Sequence, residues 1–129
     1  MINSGIYDYV DVLDKAADAS WMRNDAISNN IANVNTPGYK RQDVSFEEEL
    51  KHALKANKFE SLDSKIEDID LSHIEGRVYT DSANYSYRLD GNNVDIDNEN
   101  VELASNQIKY NALIQSIGGK FTDLQRVMK

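Results

Sequence analysis

Residues 28–46 read SNNIANVNTPGYKRQDVSF, and the chain changes character inside them. As far as Ile31 the residues follow the spacing of a long amphipathic helix; beyond Pro37 they cannot. Asn33 and Asn35 accept a left-handed backbone more readily than most residues, which suits a helix exit. Thr36 precedes proline and is pushed out of the α region. Pro37-Gly38 is in the order a type II turn needs, φ held at about −65° and then positive. Tyr39, Lys40 and Arg41 follow, a ring and then two cations. On chemistry alone this is a helix end and a turn.

Working back from it, Ile6, Val10, Leu13, Ala17, Ser20, Asn24, Ile27, Ile31 and Val34 recur in alternating steps of four and three. That is a heptad seam, the pattern of a helix lying lengthwise along a partner. Ser20 and Asn24 are its polar members, and such residues fix register at some cost in stability. A flanking stripe of Val12, Ala16, Ala19 and Ala26 would let a further helix come close. With Ser4 as N-cap the helix covers about 5–33, roughly 43 Å at about 1.5 Å per residue.

Working forward, Ser45 and Glu48 have capping-box spacing. The short helix they start, Phe46 to about Ala56, puts Phe46, Leu50, Ala53 and Leu54 on one face. From Asn57 to Glu75 apolar residues are sparse, which predicts a mobile or extended connection with at most a brief turn of helix. Gly76 to Thr80 and Tyr85 to Leu89 flank Asp81-Ser82-Ala83-Asn84 as the arms of a small hairpin.

The segment from Asp90 to Glu102 is rich in oxygen ligands but is a poor Ca²⁺ loop. Begun at Asp95, its sixth position is Asn100 rather than glycine and its twelfth is Asn106 rather than glutamate; begun at Asp90 it breaks at Val94. Capping explains it better. Asp95 or Asp97 is the N-cap, Glu99 and Glu102 lie near the positive end of the dipole, and Val94 and Ile96 staple the incoming chain. The last helix, about 98–128, carries Leu103, Gln107, Tyr110, Ile114, Ile117, Phe121, Leu124 and Met128 in the same steps, flanked by Val101, Ala104, Ile108 and Ala112. Gly118-Gly119 inside it costs about 1 kcal/mol per glycine relative to alanine. It marks either a flex point with close helix approach or a break before a final short helix.

The expected fold is therefore mainly α, with long N- and C-terminal helices pairing as a coiled-coil hairpin around a small irregular middle. The divisions are 1–41, 42–90 and 91–129, the first and last forming one helical assembly domain. Residues 42–100 hold fifteen acids against six bases, while the two ends are nearly neutral. A net charge of −8 argues against nucleic acid or an anionic membrane surface as partner. No apolar run approaches the ~18 residues needed to span a bilayer. Met1 to Asp11 lacks the basic start and apolar core of a cleavable signal peptide.

Zero cysteines exclude thiolate chemistry. His52 and His73 stand alone, the serines carry no nucleophile signature, and no glycine-rich phosphate loop appears. No enzyme, cofactor or metal site is expected. Pairing covers one stripe on each helix and leaves the flanking stripes bare, so burial is expected to be completed by other subunits. A soluble coiled-coil protein that closes into a small oligomer, such as a secretion chaperone or helical adaptor, would have the same stripes.

The SNNIAN run followed by NTPGYKR resembles the N-terminal signature of the bacterial flagellar rod and hook family. The continuation QDVSFEEEL is most similar to its proximal rod members, and the likeness returns in DGNNVDIDNENVELASNQIKYNALIQSI, residues 90–117. The resemblance implies a structural subunit of the flagellar basal body, packed by its terminal helices into a tube around the export channel and needed for motility. It implies export through the type III apparatus without a cleaved signal peptide. The implied partners are copies of itself, other rod proteins, the MS-ring and its junction protein. Asn29, Asn30, Ile31, Ala32, Asn33, Asn35, Thr36, Pro37, Gly38 and Tyr39, with Asn92, Asn93, Val94 and Asp95, are the residues matching its assembly motif. The seams of Ile6, Val10, Leu13, Ala17, Ile27 and Ile31 and of Leu103, Tyr110, Ile114, Ile117, Phe121 and Leu124 would carry the helix packing.

Overall fold

A computed structural model describes residues 4–55, 61–82 and 88–129. Helix α1 runs Ser4–Ala32 and helix α4 runs Ile96–Val127, and the two lie against each other as an antiparallel pair. Between them come strand β1 (Gln42–Ser45), helix α2 (Glu47–Lys55), helix α3 (Leu62–Glu67), a 3₁₀ turn (Leu71–His73) and strand β2 (Arg77–Thr80). The long-helix hairpin matches the expectation. Asp95 caps α4, its carboxylate accepting from the backbone N–H of Asp97 at 3.0 Å and of Asn98 at 3.4 Å. Gly118 and Gly119 do not break α4, and a side chain at either would meet nothing within 4 Å.

The turn after α1 forms as expected at its tip and differently at its base. Gly38 has φ of 73° and the Tyr39 N–H donates to the Thr36 carbonyl at 3.2 Å. Asn33 and Asn35 keep negative φ, so the helix does not leave through a left-handed residue. It tightens instead, with N–H bonds from Val34 to Ile31 and from Thr36 to Asn33.

The middle departs most from the sequence reading. Ser45 is not a helix cap: it ends β1 with its hydroxyl 3.5 Å from the Arg77 carbonyl, and α2 starts at Glu47. β2 pairs antiparallel with β1, Gln42 opposite Thr80 and Ser45 opposite Arg77. Tyr85 to Tyr87, in the other arm of the expected hairpin, lie outside the described residues. The stretch expected to be mobile contributes Ile66 and Ile74, both buried. Phe46 and Ile74 pack on Ala19, with Ala16, Leu50, Ala53, Ile69 and Leu71 around them. Gly76 comes so close to α1 that a Cβ there would lie 3.3 Å from the Ala19 Cα. The alanine stripe of α1, expected to stay bare in a monomer, is therefore covered by the chain's own middle. The corresponding stripe of α4 is not: Val101 is 67% and Ile108 72% exposed.

Candidate assembly junction

The two asparagine-rich blocks, far apart in sequence, meet where α1 ends and α4 begins. A helix end leaves carbonyls without intrahelical donors. Here Asn92, fully buried, supplies them: its Nδ2 lies 2.9, 3.1 and 2.9 Å from the carbonyls of Asn33, Val34 and Thr36. The Arg88 guanidinium adds a 2.7 Å bond to the Val34 carbonyl. Asn92 is itself held, its Oδ1 accepting from the Val94 N–H at 2.8 Å and its own N–H donating to Asp90 at 3.1 Å. Gly91, at φ 75°, sits back to back with Gly38, and a Cβ on it would be 3.8 Å from the Gly38 Cα. Lys40 donates to the Gly91 carbonyl and the Gly38 N–H to the Asp90 carbonyl.

One layer further in, Asn30 acts as a substitute strand. Its Oδ1 accepts from the Gln42 N–H and its Nδ2 donates to the Gln42 carbonyl, both at 2.8 Å. The same amide takes the Tyr39 hydroxyl at 3.1 Å and reaches Glu99 at 3.1 Å. Glu99, 1% exposed, binds the Arg41 Nε at 2.8 Å. Arg41 also reaches Asp81 at 2.9 Å and Asp43 at 3.5 Å, so one guanidinium serves three carboxylates. Burial alone would lower its pKa, but the bonds to Glu99 and Asp81 raise it instead. Burial, and after it the Glu99 charge, raises the Tyr39 phenol. Asn93 closes the layer, accepting from the Arg41 N–H and donating to the Asp81 carbonyl, both at 2.7 Å.

Of the motif residues, Asn30, Asn33, Thr36, Gly38, Tyr39, Asn92, Asn93 and Val94 enter this network directly. Asn29 contributes its carbonyl, to the N–H and Nδ2 of Asn33, and Asp95 caps α4. Ile31 is half-buried; Ala32, Asn35 and Pro37 are exposed. On the α1 seam Ala17 and Ile27 are buried and Ile6, Val10, Leu13 and Ile31 half-buried. On α4, Leu103, Tyr110, Ile117 and Leu124 are half-buried, but Ile114 and Phe121 are 45% and 48% exposed. The covered line of α4 runs instead through Glu99, Leu103, Asn106, Tyr110, Leu113 and Ile117.

Sequence reasoning missed the charged members, Arg41, Asp81, Arg88 and Glu99. The expected seam gave no signal for Glu99: three residues back from Leu103 it lands on Asn100, which is exposed, whereas the covered line passes through Glu99. Among the described residues no cluster of histidine and carboxylate groups is arranged to hold a metal. The junction's polar groups are spent on one another and on backbone, which makes it a clasp.

A family model described as flagella basal body rod protein matches residues 19–40, the second half of α1 and the turn. The chain is similar to the flagellar basal body rod protein FlgB of Bacillus subtilis, 37% identical over 90% of this chain and 89% of that one. It is similar to FlgB of Borreliella burgdorferi, 34% identical over 93% and 95%, and to FlgB of Escherichia coli, 29% identical over 83% of each.

Proposed function

The chain belongs to the FlgB family of flagellar basal body rod proteins, and from that premise we propose that it builds the proximal rod by packing its two long helices against neighbouring subunits. A structural rod subunit assembles with other rod components in the basal body. Residues 1–41 and 91–129 act as one assembly domain, and residues 42–90 brace it from the α1 side. The clasp of Asn30, Asn92, Arg41 and Glu99 sets the angle at which the turn meets the helix pair. The seams and the asparagine motif have structural and contact roles. The neighbours are copies of the chain, other rod proteins, the MS-ring and its junction protein. The chain reaches them through the type III export apparatus without a cleaved signal peptide, and no helix among the described residues is long and apolar enough to cross a membrane.

One observation carries this reading. Helix α4 shows Val101, Ile108, Ile114, Phe121 and Val127 to solvent along its 32 residues, with Met128 at its C-cap. So much exposed apolar surface on one element marks an interaction face. The relatives named above are all rod proteins, and none supports the closed-oligomer chaperone. Ile114→Asp tests the face. An exposed position tolerates it within about 0.5 kcal/mol, so the purified chain should melt unchanged while cells lose swimming and rods lack the subunit. Normal motility in that strain would refute the reading.

A further inference from the structure

The folded middle bridges the two long helices along one flank of the pair. Glu47 accepts there from Arg23 of α1 and Lys109 of α4. Asp63 of α3 accepts from the Tyr9 hydroxyl, and Lys120 of α4 lies over the Tyr9 ring. Along the opposite flank, among the described residues, no element covers the pair. Tyr7 and Trp21 of α1, two heptads apart, and Ile114 and Phe121 of α4, one heptad apart, are each about half exposed on it. A cavity of about 280 Å³ opens between the helices on this flank, with Trp21 and Asn24 on one wall and Gln107, Tyr110 and Asn111 on the other. Beneath it Asn106 Nδ2 holds α4 to the Ser20 carbonyl of α1 at 2.7 Å. The result is a groove with large apolar side chains on both banks.

A second bare surface lies on the far side of α4 from α1. Val101 and Ile108, seven apart, are largely exposed, and the residues around them are small: Ala104, Ala112 and Gly119. The hydroxyls nearby are already spent, Ser116 on the Ala112 carbonyl at 2.8 Å and Thr122 on that of Gly118 at 3.0 Å. Burying this face therefore strands neither hydroxyl. From Leu103 to Gly119 the one charged residue is Lys109, which Glu47 already holds.

We propose that the back of α4 from a second copy of this chain packs into the groove. The proposal rests on the rod reading, which supplies the neighbouring copy. Size favours the match: the groove offers wide side chains and the back of α4 small ones, so the helices can approach closely. Charge selects the occupant. The α1 rim of the groove carries Asp11, Asp14 and Asp18, all exposed, so a helix with anions on its facing side is repelled. The bare stripe of a second α1 carries those same aspartates and Asp25, and α2 opens with Glu47, Glu48 and Glu49. Helix α4 has no acid between Leu103 and Thr122. Groove and back are different surfaces of one molecule. A copy whose back is engaged still has an open groove, so the contact repeats without closing.

Because the sequence has no cysteine, introduced pairs read the contact directly. Trp21→Cys with Ile108→Cys puts one thiol in the groove and the other on the back of α4. Within one chain α4 stands between them, beyond the reach of a disulfide. Ala112→Cys or Gly119→Cys in place of Ile108→Cys allows for a stagger of the neighbour along the axis. After oxidation of purified basal bodies, at least one pair should give a ladder of dimers, trimers and longer chains of the tagged protein. Neither cysteine alone should give any. Should Trp21→Cys keep the chain out of basal bodies, Tyr7→Cys with Thr122→Cys carries the same test. Dimers from a single cysteine mean a symmetric contact, and a bond to a different protein means another occupant. Assembled chains that form no bond with any pair mean that no second copy fills the groove. Each of these three results overturns the proposal and leaves the rod reading standing; absence of the tagged parent chain from purified basal bodies would end the rod reading itself.

Discussion

Helices α1 and α4 share one apolar spacing and end in different surroundings. On α1 the fully buried residues include Ala17, Ala19, Ala26 and Ile27, enclosed by α4 on one side and by the folded middle on another. On α4 they are Glu99 and Asn106, both polar, while most of the large apolar residues near them face solvent. The inner helix is built from small residues that admit close neighbours. The outer helix is pinned to it by directed bonds and keeps its hydrophobic surface for something else. A repeat in sequence therefore does not define the role of its helix; what the intervening segment packs against does.

The largest effect should come from the pin itself. Arg41→Ala leaves Glu99 buried without its cation and should cost about 3–5 kcal/mol in urea unfolding. Arg41→Met combined with Glu99→Leu removes both charges and should be clearly more stable than Arg41→Ala. If the double variant is the weaker, the network owes its stability to something other than charge pairing, and α4 is not held in the way the contrast supposes.

Glycine separates the two helices next. Gly76→Val presses a side chain onto the Ala19 backbone and Val44, each 3.3 Å from the first added carbon, and should cost about 1–3 kcal/mol. Gly118→Ala, in open space on α4, should stabilise the isolated chain by roughly 0.5–1 kcal/mol. A loss of swimming in that stabilised variant would show that a neighbour approaches α4 at Gly118 in the polymer.

How much of this was legible depended on how far apart the partners lie. The bounds of α1, the Pro37-Gly38 turn and the Asp95 cap follow from residues within four of each other, and they stand in the structure. The β1–β2 pairing joins Ser45 to Arg77, and four-residue strands leave no pattern strong enough to name a partner so distant. Ser45 and Glu48 had capping-box spacing, but the strand claimed Ser45. Asn33 had the chemistry for a left-handed exit, and Asn92 made that exit unnecessary by bonding the carbonyls directly. Ile66, Ile69, Leu71 and Ile74 showed no period because they sit on a short helix, a loop and a 3₁₀ turn, yet all face α1 or its neighbours. The asparagine blocks were visible as motifs, and their meeting needed the fold.

The smallest effect concerns Glu47, which links the two helices from the start of α2. It accepts from Arg23 of α1 at 2.6 Å and from Lys109 of α4. The Arg23 bond, and less strongly that of Lys109, outweighs burial and lowers its carboxyl from 4.5 to about 2. A depressed folded-state pKa means the added stability is fully present above about 4.5 and is lost as pH falls through about 2. Its side chain is 46% exposed, so solvent screens the pair and limits its worth to under about 1 kcal/mol. Glu47→Gln should therefore melt slightly below the parent at pH 7, with the gap closing between pH 4.5 and 2. A gap that stays constant across that window would mean Glu47 contributes by packing, and would leave Asn106 and Glu99 as the polar ties that hold α4 in place.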